Sequence, residues 1–337
     1  MSTNTRAAAH VLPTPSALKR QMPVPSPSPV GAWRETIVNI LQGKDPRLLL
    51  IVGPCSVHDP VAVLDYARRL SACQGQFPHI FFVMRTYFEK PRTRKGWSGF
   101  MHDPHLDGTN DMGSGVALSR KLLLQITALG VPTATETLSL IAPQYIDDLI
   151  SFACIGARTT ESQPHRELAS GLSVPVGFKN STTGDISVAV NSIISASEGK
   201  VFMGVNAEGR VAAIRTNGNP HCCLVLRGSV HGPNYDTETV QTLAQQLGRE
   251  KIRTGIVIDA SHGNSGKKWR KQIDVLKYLA AHRVDSVRGF MMESFLEDGN
   301  QALASRPLRH GLSVTDACIG WVKSVDIFKY IEHHLKE

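Results

Sequence analysis

Five cations, Arg85, Lys90, Arg92, Arg94 and Lys95, crowd into eleven positions directly after the apolar run IFFVM. Such density at the end of a buried strand calls for anions. Arginine forks match phosphate and carboxylate two bonds at a time, and lysine adds a point charge. Three more basic residues close other apolar runs: Arg158 in FACIGARTT, Lys179 in VPVGFK and Arg227 in CCLVLRG. Converging cations repel one another unless anions sit between them, and one phosphate does not need this many. The set points to two anionic substrates, or to a phosphate together with a carboxylate. A second group is Cys55, His262 and Glu293, each at the end of an apolar run, with Asp316 in the later stretch TDACIGW. One thiolate, one imidazole and two carboxylates suit a divalent transition metal, and the mixed donors favour Mn, Fe, Co or Zn over Mg or Ca. Taken singly, each has a plainer reading: Cys55 as a packed small hydrophobe, His262 as a hydrogen-bonded core histidine, Glu293 as an ordinary strand-end acid.

The elements that must hold these residues are eight apolar runs with helical stretches between them, at 48–56, 80–87, 132–136, 152–160, 174–179, 222–228, 255–262 and 287–294. Continuous rather than alternating apolar character suits parallel strands buried on both faces. Asp59-Pro60 supplies an N-cap and a first-turn proline for a helix whose Val63, Leu64, Ala67 and Leu70 share a face. Asp185 and Asp236 are read as caps of two later helices. Eight strand–helix units predict a (β/α)8 barrel, which typically takes about 250 residues. A doubly wound open sheet fits the periodicity too, but no GxGxxG follows the first strand. Barrel closure is what would make strands one, seven and eight neighbours, and so gather Cys55, His262 and Glu293. The surplus length lies in a Pro/Ser-rich N-terminal arm over 1–30, the loop 88–113, and a hairpin over about 200–214 turning at NAEG. The arm is read as loose or extended, outside any core. Residues 31–337 are then the catalytic barrel.

Composition narrows the classes. The chain of 337 residues is 42% hydrophobic and 20% charged, which is ordinary globular usage. No apolar run reaches the roughly 18 residues of a membrane helix, and no signal peptide opens the chain. A cytoplasmic protein without a membrane partner is expected. Six cysteines without CxxC spacing are expected to be reduced thiols. The net charge of +8 suits phosphorylated metabolites as well as nucleic acid. Nucleic acid is not expected as a partner, because no basic stretch is interleaved with aromatics and no known module is present.

Seven stretches carry a specific resemblance: GPCSVHDP, RTYFEKPRT, GARTTESQPHRELASGLSVPVGFKN, RGSVHGPNY, DASHGN, MMES and TDACIGW. Together, over about residues 31 to 325 and in the family's order, they resemble type I 3-deoxy-D-arabino-heptulosonate-7-phosphate (DAHP) synthases, which open the shikimate pathway. That family folds as a (β/α)8 barrel. The resemblance implies a transferase condensing phosphoenolpyruvate with erythrose 4-phosphate. It implies Cys55, His262, Glu293 and Asp316 as metal ligands, and Arg85, Lys90, Arg158, Lys179 and Arg227 around phosphoenolpyruvate, with Glu136 and Ala157 lining the same pocket. Lys90, Pro91, Arg92 and Thr93 would meet erythrose 4-phosphate. The metal would act as a Lewis acid on the aldehyde oxygen. Lys90, between the substrates, is then the candidate proton donor to the new alkoxide, alone or with His262.

The resemblance further implies a homodimer or homotetramer and an aromatic amino acid effector. Pro143, Gln144, Leu168, Leu172 and Ser173 fall where phenylalanine-sensitive members contact theirs. The arm is richer in Pro and Ser than the usual family arm, which leaves the effector open. Two other functions are weighed. A related synthase takes a five-carbon sugar phosphate, but carries a serine-containing stretch where this chain has KPRT. A non-catalytic phosphometabolite-binding barrel is disfavoured by the complete set of ligating and basic residues. Cys318, two residues from Asp316, is read as a packed thiol, or as an oxidative partner of Cys55 when metal is absent.

Overall fold

The computed structural model describes residues 11–336; the first ten residues of the arm and Glu337 lie outside the described residues. Eight parallel strands close a barrel: β1 (Leu48–Gly53), β2 (Ile80–Arg85), β3 (Thr133–Glu136), β4 (Phe152–Ile155), β5 (Val176–Lys179), β8 (Cys222–Leu226), β9 (Ile256–Asp259) and β10 (Val287–Glu293). Every expected run contributes one strand. The ring closes where β1 pairs with β10, in a register that sets Gly53 opposite Glu293. The inserted hairpin is β6 (Val201–Val205) paired antiparallel with β7 (Val211–Arg215), and the Asn206 side chain accepts the backbone N–H groups of Glu208 and Arg210 across its turn.

Strand alternation explains both the core and the site. Successive side chains point to opposite faces, so every second residue enters the barrel. The interior is filled by Leu49, Ile51, Val83, Ala134, Phe152, Cys154, Cys223, Val225, Val257 and Met291. Gly177 makes room for this packing: a Cβ there would lie 2.6 Å from Val225 Cγ2 and 2.9 Å from Phe152 Cζ. Toward the carboxyl ends of five of these strands the same inward face becomes charged, with Arg85, Glu136, Lys179, Asp259 and Glu293. Below, Ile37, Ile40 and Leu41 of α2 (Val30–Leu41) join the interior cluster and plug the barrel floor. The opposite strand faces pack on the surrounding helices in a second, larger apolar cluster.

Two of the three expected caps form as read. Asp59 accepts from Val61 N at 2.9 Å and Ala62 N at 3.2 Å at the start of α3 (Pro60–Gln74), and Asp236 accepts from Thr239 N at 2.9 Å at the start of α8 (Thr237–Arg249). Asp185 differs. Ile186, in a helical conformation, is the cap of α7 (Ser187–Ser197), and Asp185 sits one residue outside it, accepting from Ser187 N at 2.8 Å.

The arm is a correction. Its described part is neither loose nor outside the core. Thr14 caps α1 (Pro15–Gln21), and Leu18 enters the outer apolar cluster, a burial worth about 2 kcal/mol. Tyr145 Oη donates to Pro13 O at 2.8 Å, Arg120 Nε donates to Met22 O at 2.9 Å, and Lys19 pairs with Asp147. Pro/Ser composition hid this, because one buried leucine and its polar ties leave no periodic trace.

Four expected strand-end residues also lie past their strands. Cys55, Arg158, Arg227 and His262 stand one to three residues into the following loops. The apolar runs continue beyond the last ladder bond: Pro54 lacks an N–H, Thr159 N turns back to Gly156 O at 3.0 Å, and His262 takes φ +54°.

Candidate active site at the carboxyl ends of the strands

A cavity of about 410 Å³ opens where the strands end. Its walls include Lys90, Pro91, Arg92, Thr93, Glu136, Ala157, Arg158, Lys179, Arg227, His262 and Asp316. Cys55, Arg85 and Glu293 are buried and do not line it. Arg85 is fully buried, with Nη2 3.2 Å from Glu293 Oε1, its guanidinium carbon 4.0 Å from the Tyr87 ring centroid, and Nη1 left without a partner among the described residues. Gly53 makes that position possible, since a Cβ there would stand 2.9 Å from Arg85 O. Gly156 does the same for Glu136, whose Oε1 would be 2.6 Å from an added Cβ.

Lys179 and Asp259 form the buried hub. Lys179 Nζ lies 3.2 Å from Asp259 Oδ2 and 3.8 Å from Glu136 Oε2. Asp259 Oδ2 also accepts from His262 Nδ1 at 2.9 Å. Burial pushes the Asp259 carboxyl up, but His262 and Lys179 more than offset this and hold it well below the usual carboxylate range. Asp259 therefore stays ionised, and orients the histidine so that Nε2 is the ring nitrogen without a hydrogen bond among the described residues.

The basic residues are placed by backbone contacts. Arg227 N donates to Asn180 Oδ1 at 2.9 Å, and Arg227 Nη1 to Gly228 O at 3.3 Å. Exposed Arg158 donates from Nη1 to Pro91 O at 2.9 Å, tying the loop after β4 to the loop after β2. Arg92 Nε donates to Trp97 O at 2.7 Å, and Lys90 N to Ser98 O at 2.9 Å, so the long loop folds back on itself and presents Arg92 and Thr93 at the mouth.

The metal-type donors are gathered in part. Ligand atoms of Cys55, Glu293 and Asp316 lie within 4.8 Å of one another. Asp316 is brought there by the loop after β10, which doubles back through mutual Gly299–Cys318 backbone bonds of 2.8 and 3.0 Å. His262 does not belong to that close triad, although it shares the cavity with Asp316. The donor chemistry, one sulfur with two carboxylates, fits a first-row transition metal. Lys90 Nζ lies 3.2 Å from Cys55 Sγ and 3.1 Å from Cys55 O. Burial and then Glu293 push the Cys55 thiol up, so an ion binding there must displace its proton. All six cysteines are free and buried, and Cys318 Sγ accepts from Cys55 N at 3.4 Å as a packed thiol.

A second cavity, about 860 Å³, lies between α5 (Pro143–Ile146), α6 (Gln163–Gly171) and the hairpin. Pro143, Gln144, Leu168, Leu172 and Ser173 all line it, together with Lys19 of the arm. Between the two cavities, a hydrogen-bonded chain runs from Glu89, the neighbour of Lys90, to the turn that carries Ile141 of the second cavity. Glu89 Oε2 accepts from Ser139 N at 3.1 Å, and Ser139 Oγ accepts from Ile141 N and Ala142 N at 3.2 Å each, just before α5.

Asp259 and Lys267 were not singled out from the sequence. Asp259 is masked because the run that holds it continues to a second polar residue, His262. Counting alternation from Val257 puts Asp259 on the inward face. Lys267, which also lines the active-site cavity, sits in the polar stretch HGNSGKK and had no pattern to mark it.

Among the described residues, no helix is long and apolar enough to cross a membrane. Residues 20–329 match the model of the DAHP synthetase I family. The chain is 43% identical over 334 residues to "Phospho-2-dehydro-3-deoxyheptonate aldolase, Tyr-sensitive" of Escherichia coli, covering 96% of this chain and 93% of that one. It is 47% identical over 319 residues to the Trp-sensitive enzyme of Enterobacter agglomerans, covering 92% and 91%. A solved phospho-2-dehydro-3-deoxyheptonate aldolase from Francisella tularensis superposes with a TM-score of 0.97 at 41% identity, covering 99% of both chains.

Proposed function

The chain belongs to the DAHP synthetase I family, and on that premise we propose that it condenses phosphoenolpyruvate with D-erythrose 4-phosphate and water, releasing DAHP and inorganic phosphate. One observation carries the reading: basic side chains from the loop after β2 and from at or just past the ends of β4, β5 and β8 converge on one cavity whose edge, at Asp316, meets the close triad of metal-type donors.

The residues divide the work by charge. Arg158, Lys179 and Arg227 neutralise the phosphate and carboxylate of phosphoenolpyruvate, and Arg85, with an unpartnered Nη1, holds positive charge beneath them. Arg92 and Thr93 at the mouth take the sugar phosphate. This screening lets two anions approach that would otherwise repel each other. Carbon three of phosphoenolpyruvate then attacks the aldehyde carbon, and Lys90 Nζ gives a proton to the new alkoxide. Burial alone would lower the Lys90 ammonium, but Cys55 and Glu293 more than offset it, so the proton is present to give. Water adds to carbon two and loses one proton, and the C–O bond to phosphate then breaks as the new hydroxyl passes its remaining proton to the departing phosphate, leaving the ketone. A divalent ion held by Cys55, Glu293 and Asp316, with His262 Nε2 as the fourth donor, would supply Lewis acidity at the sugar carbonyl.

The second cavity is the proposed seat of an aromatic amino acid effector. Tyr-sensitive and Trp-sensitive relatives are nearly equally similar, so identity does not choose between them. The Glu89–Ser139 bond gives occupancy of that cavity a contact with the loop carrying Lys90.

The test is a steady-state assay of phosphate release and product formation with both substrates. It is run with Mn²⁺, with chelator, with a five-carbon sugar phosphate in place of erythrose 4-phosphate, and with each aromatic amino acid. No phosphate release with both substrates and Mn²⁺ would overturn the reading.

A further inference from the structure

Each acidic donor of the triad faces its own cation. Cys55 Sγ has Lys90 Nζ at 3.2 Å, Glu293 Oε1 has Arg85 Nη2 at 3.2 Å, and Asp316 Oδ2 has Lys267 Nζ at 3.4 Å. The first two cations are enclosed and are committed to the substrates by the proposed function. Lys267 is different: its side chain is 59% exposed. Its backbone, by contrast, is pinned. Lys267 N donates to His262 O at 2.7 Å, and the loop between them starts and ends in the left-handed region, with φ +54° at His262 and +60° at Lys267. A fixed Cα thus carries a flexible, solvated ammonium that reaches a donor carboxylate.

We propose that Lys267 is a stand-in cation for the metal site. It holds Asp316 while no ion is bound, swings into solvent when a divalent ion takes that carboxylate, and thereby weakens ion binding through competition. The inference rests on the metal reading of the site. The physics is a like-charge exclusion: an ammonium 3.4 Å from the carboxylate oxygen and a divalent ion on the same oxygen repel strongly at that separation. The exposed stem gives the ammonium somewhere to go, so the cost of displacing it is that of an exposed ion pair. A pair of that kind is worth up to about 1 kcal/mol, which converts to about fivefold in affinity. The consequence is a site that releases and exchanges its ion more readily than its donors alone would dictate, without distorting the donors when empty.

The test titrates Co²⁺ into the metal-free full-length protein and follows the thiolate–cobalt absorption, comparing Lys267→Met, Lys267→Arg and the unaltered chain. Lys267→Met should bind Co²⁺ about fivefold more tightly, and the gap should shrink as salt screens the lysine. Lys267→Arg should stay near the unaltered affinity. In parallel, reductive methylation read by mass spectrometry should modify Lys267 faster once Co²⁺ is bound. Equal or weaker Co²⁺ binding by Lys267→Met, or a Lys267 methylation rate indifferent to the ion, would overturn the inference. Absence of thiolate–cobalt absorption in the unaltered protein would instead overturn the metal reading beneath it.

Discussion

Replacing Asp259 by Asn tests the centre of the site with almost no change in shape. The substitution removes one charge from a fully buried group that faces Lys179 Nζ at 3.2 Å and His262 Nδ1 at 2.9 Å. At 3.2 Å and an effective dielectric of about 20, the lysine–aspartate attraction is about 5 kcal/mol. Breaking a buried pair while leaving one partner charged costs about 3–5 kcal/mol. Lys179 keeps a weaker partner in Glu136 at 3.8 Å, which places the expected loss at the lower end, about 3 kcal/mol. For a chain of this length that lowers Tm by about 4 °C. The double variant Lys179→Met/Asp259→Asn removes the stranded ammonium as well. It should lose less than the two single changes added together, by about 2 kcal/mol. Thermal unfolding of the four proteins at pH 7.5 measures the cycle. Asn also holds His262 less firmly, so Co²⁺ affinity should fall about tenfold or more. A loss under about 1 kcal/mol for Asp259→Asn, or strict additivity in the double variant, would refute the view that this pair is a tightly coupled buried unit.

Three further outcomes are expected. Burial raises the Cys154 thiol to about 11 and the Cys222 thiol to about 12, against an ordinary 9.0. The unfolded chain therefore gives up these protons first, so above pH 9 it binds fewer protons than the folded state and stability falls as pH rises. At pH 10 each thiol contributes about 1.4 kcal/mol to that fall. Denaturant unfolding at pH 8 and 10 should show a shallower decline in Cys154→Ala and Cys222→Ala, and identical declines would contradict the assignment. Lys90→Met should lower the turnover number about 100-fold or more, with much smaller changes in KM; an unchanged turnover number would remove Lys90 from proton transfer. Ser173→Phe places a ring in the second cavity. It should weaken inhibition by the effective aromatic amino acid about tenfold while turnover stays within about twofold, and intact inhibition would move the effector elsewhere.

How much of this was legible depends on what a linear pattern can carry. The eight strands were legible because a parallel strand buried on both faces must be apolar throughout, and few other elements of that length are. The charged ring was legible for the same reason. Arg85, Lys179, Glu136 and Glu293 interrupt apolar runs where only a strand end near a site tolerates a charge. Their inward direction follows from alternation alone: Val83 and Arg85 share a face, as do Met291 and Glu293. The same count places Asp259, two residues after Val257, on the inward face, although the apolar run GIVIDASH continues past it to His262.

The residues that stayed hidden are of another kind. Leu18 matters because of what lies opposite it in space, and Lys267 because the loop after β10 returns Asp316 to it across 49 residues of chain. No spacing announces either. Barrel closure lies between these cases. Nothing local states that β1 and β10 are partners, yet eight similar units leave few other ways to bury both edges. The Gly53–Glu293 register that results carries Cys55, two residues past Gly53, close to the Glu293 carboxylate. The donor triad is thus a consequence of ring geometry acting on residues chosen one strand at a time. Any change that shifted the β1–β10 register by two residues would be expected to move Cys55 away from Glu293 while leaving each apolar run, read alone, unchanged.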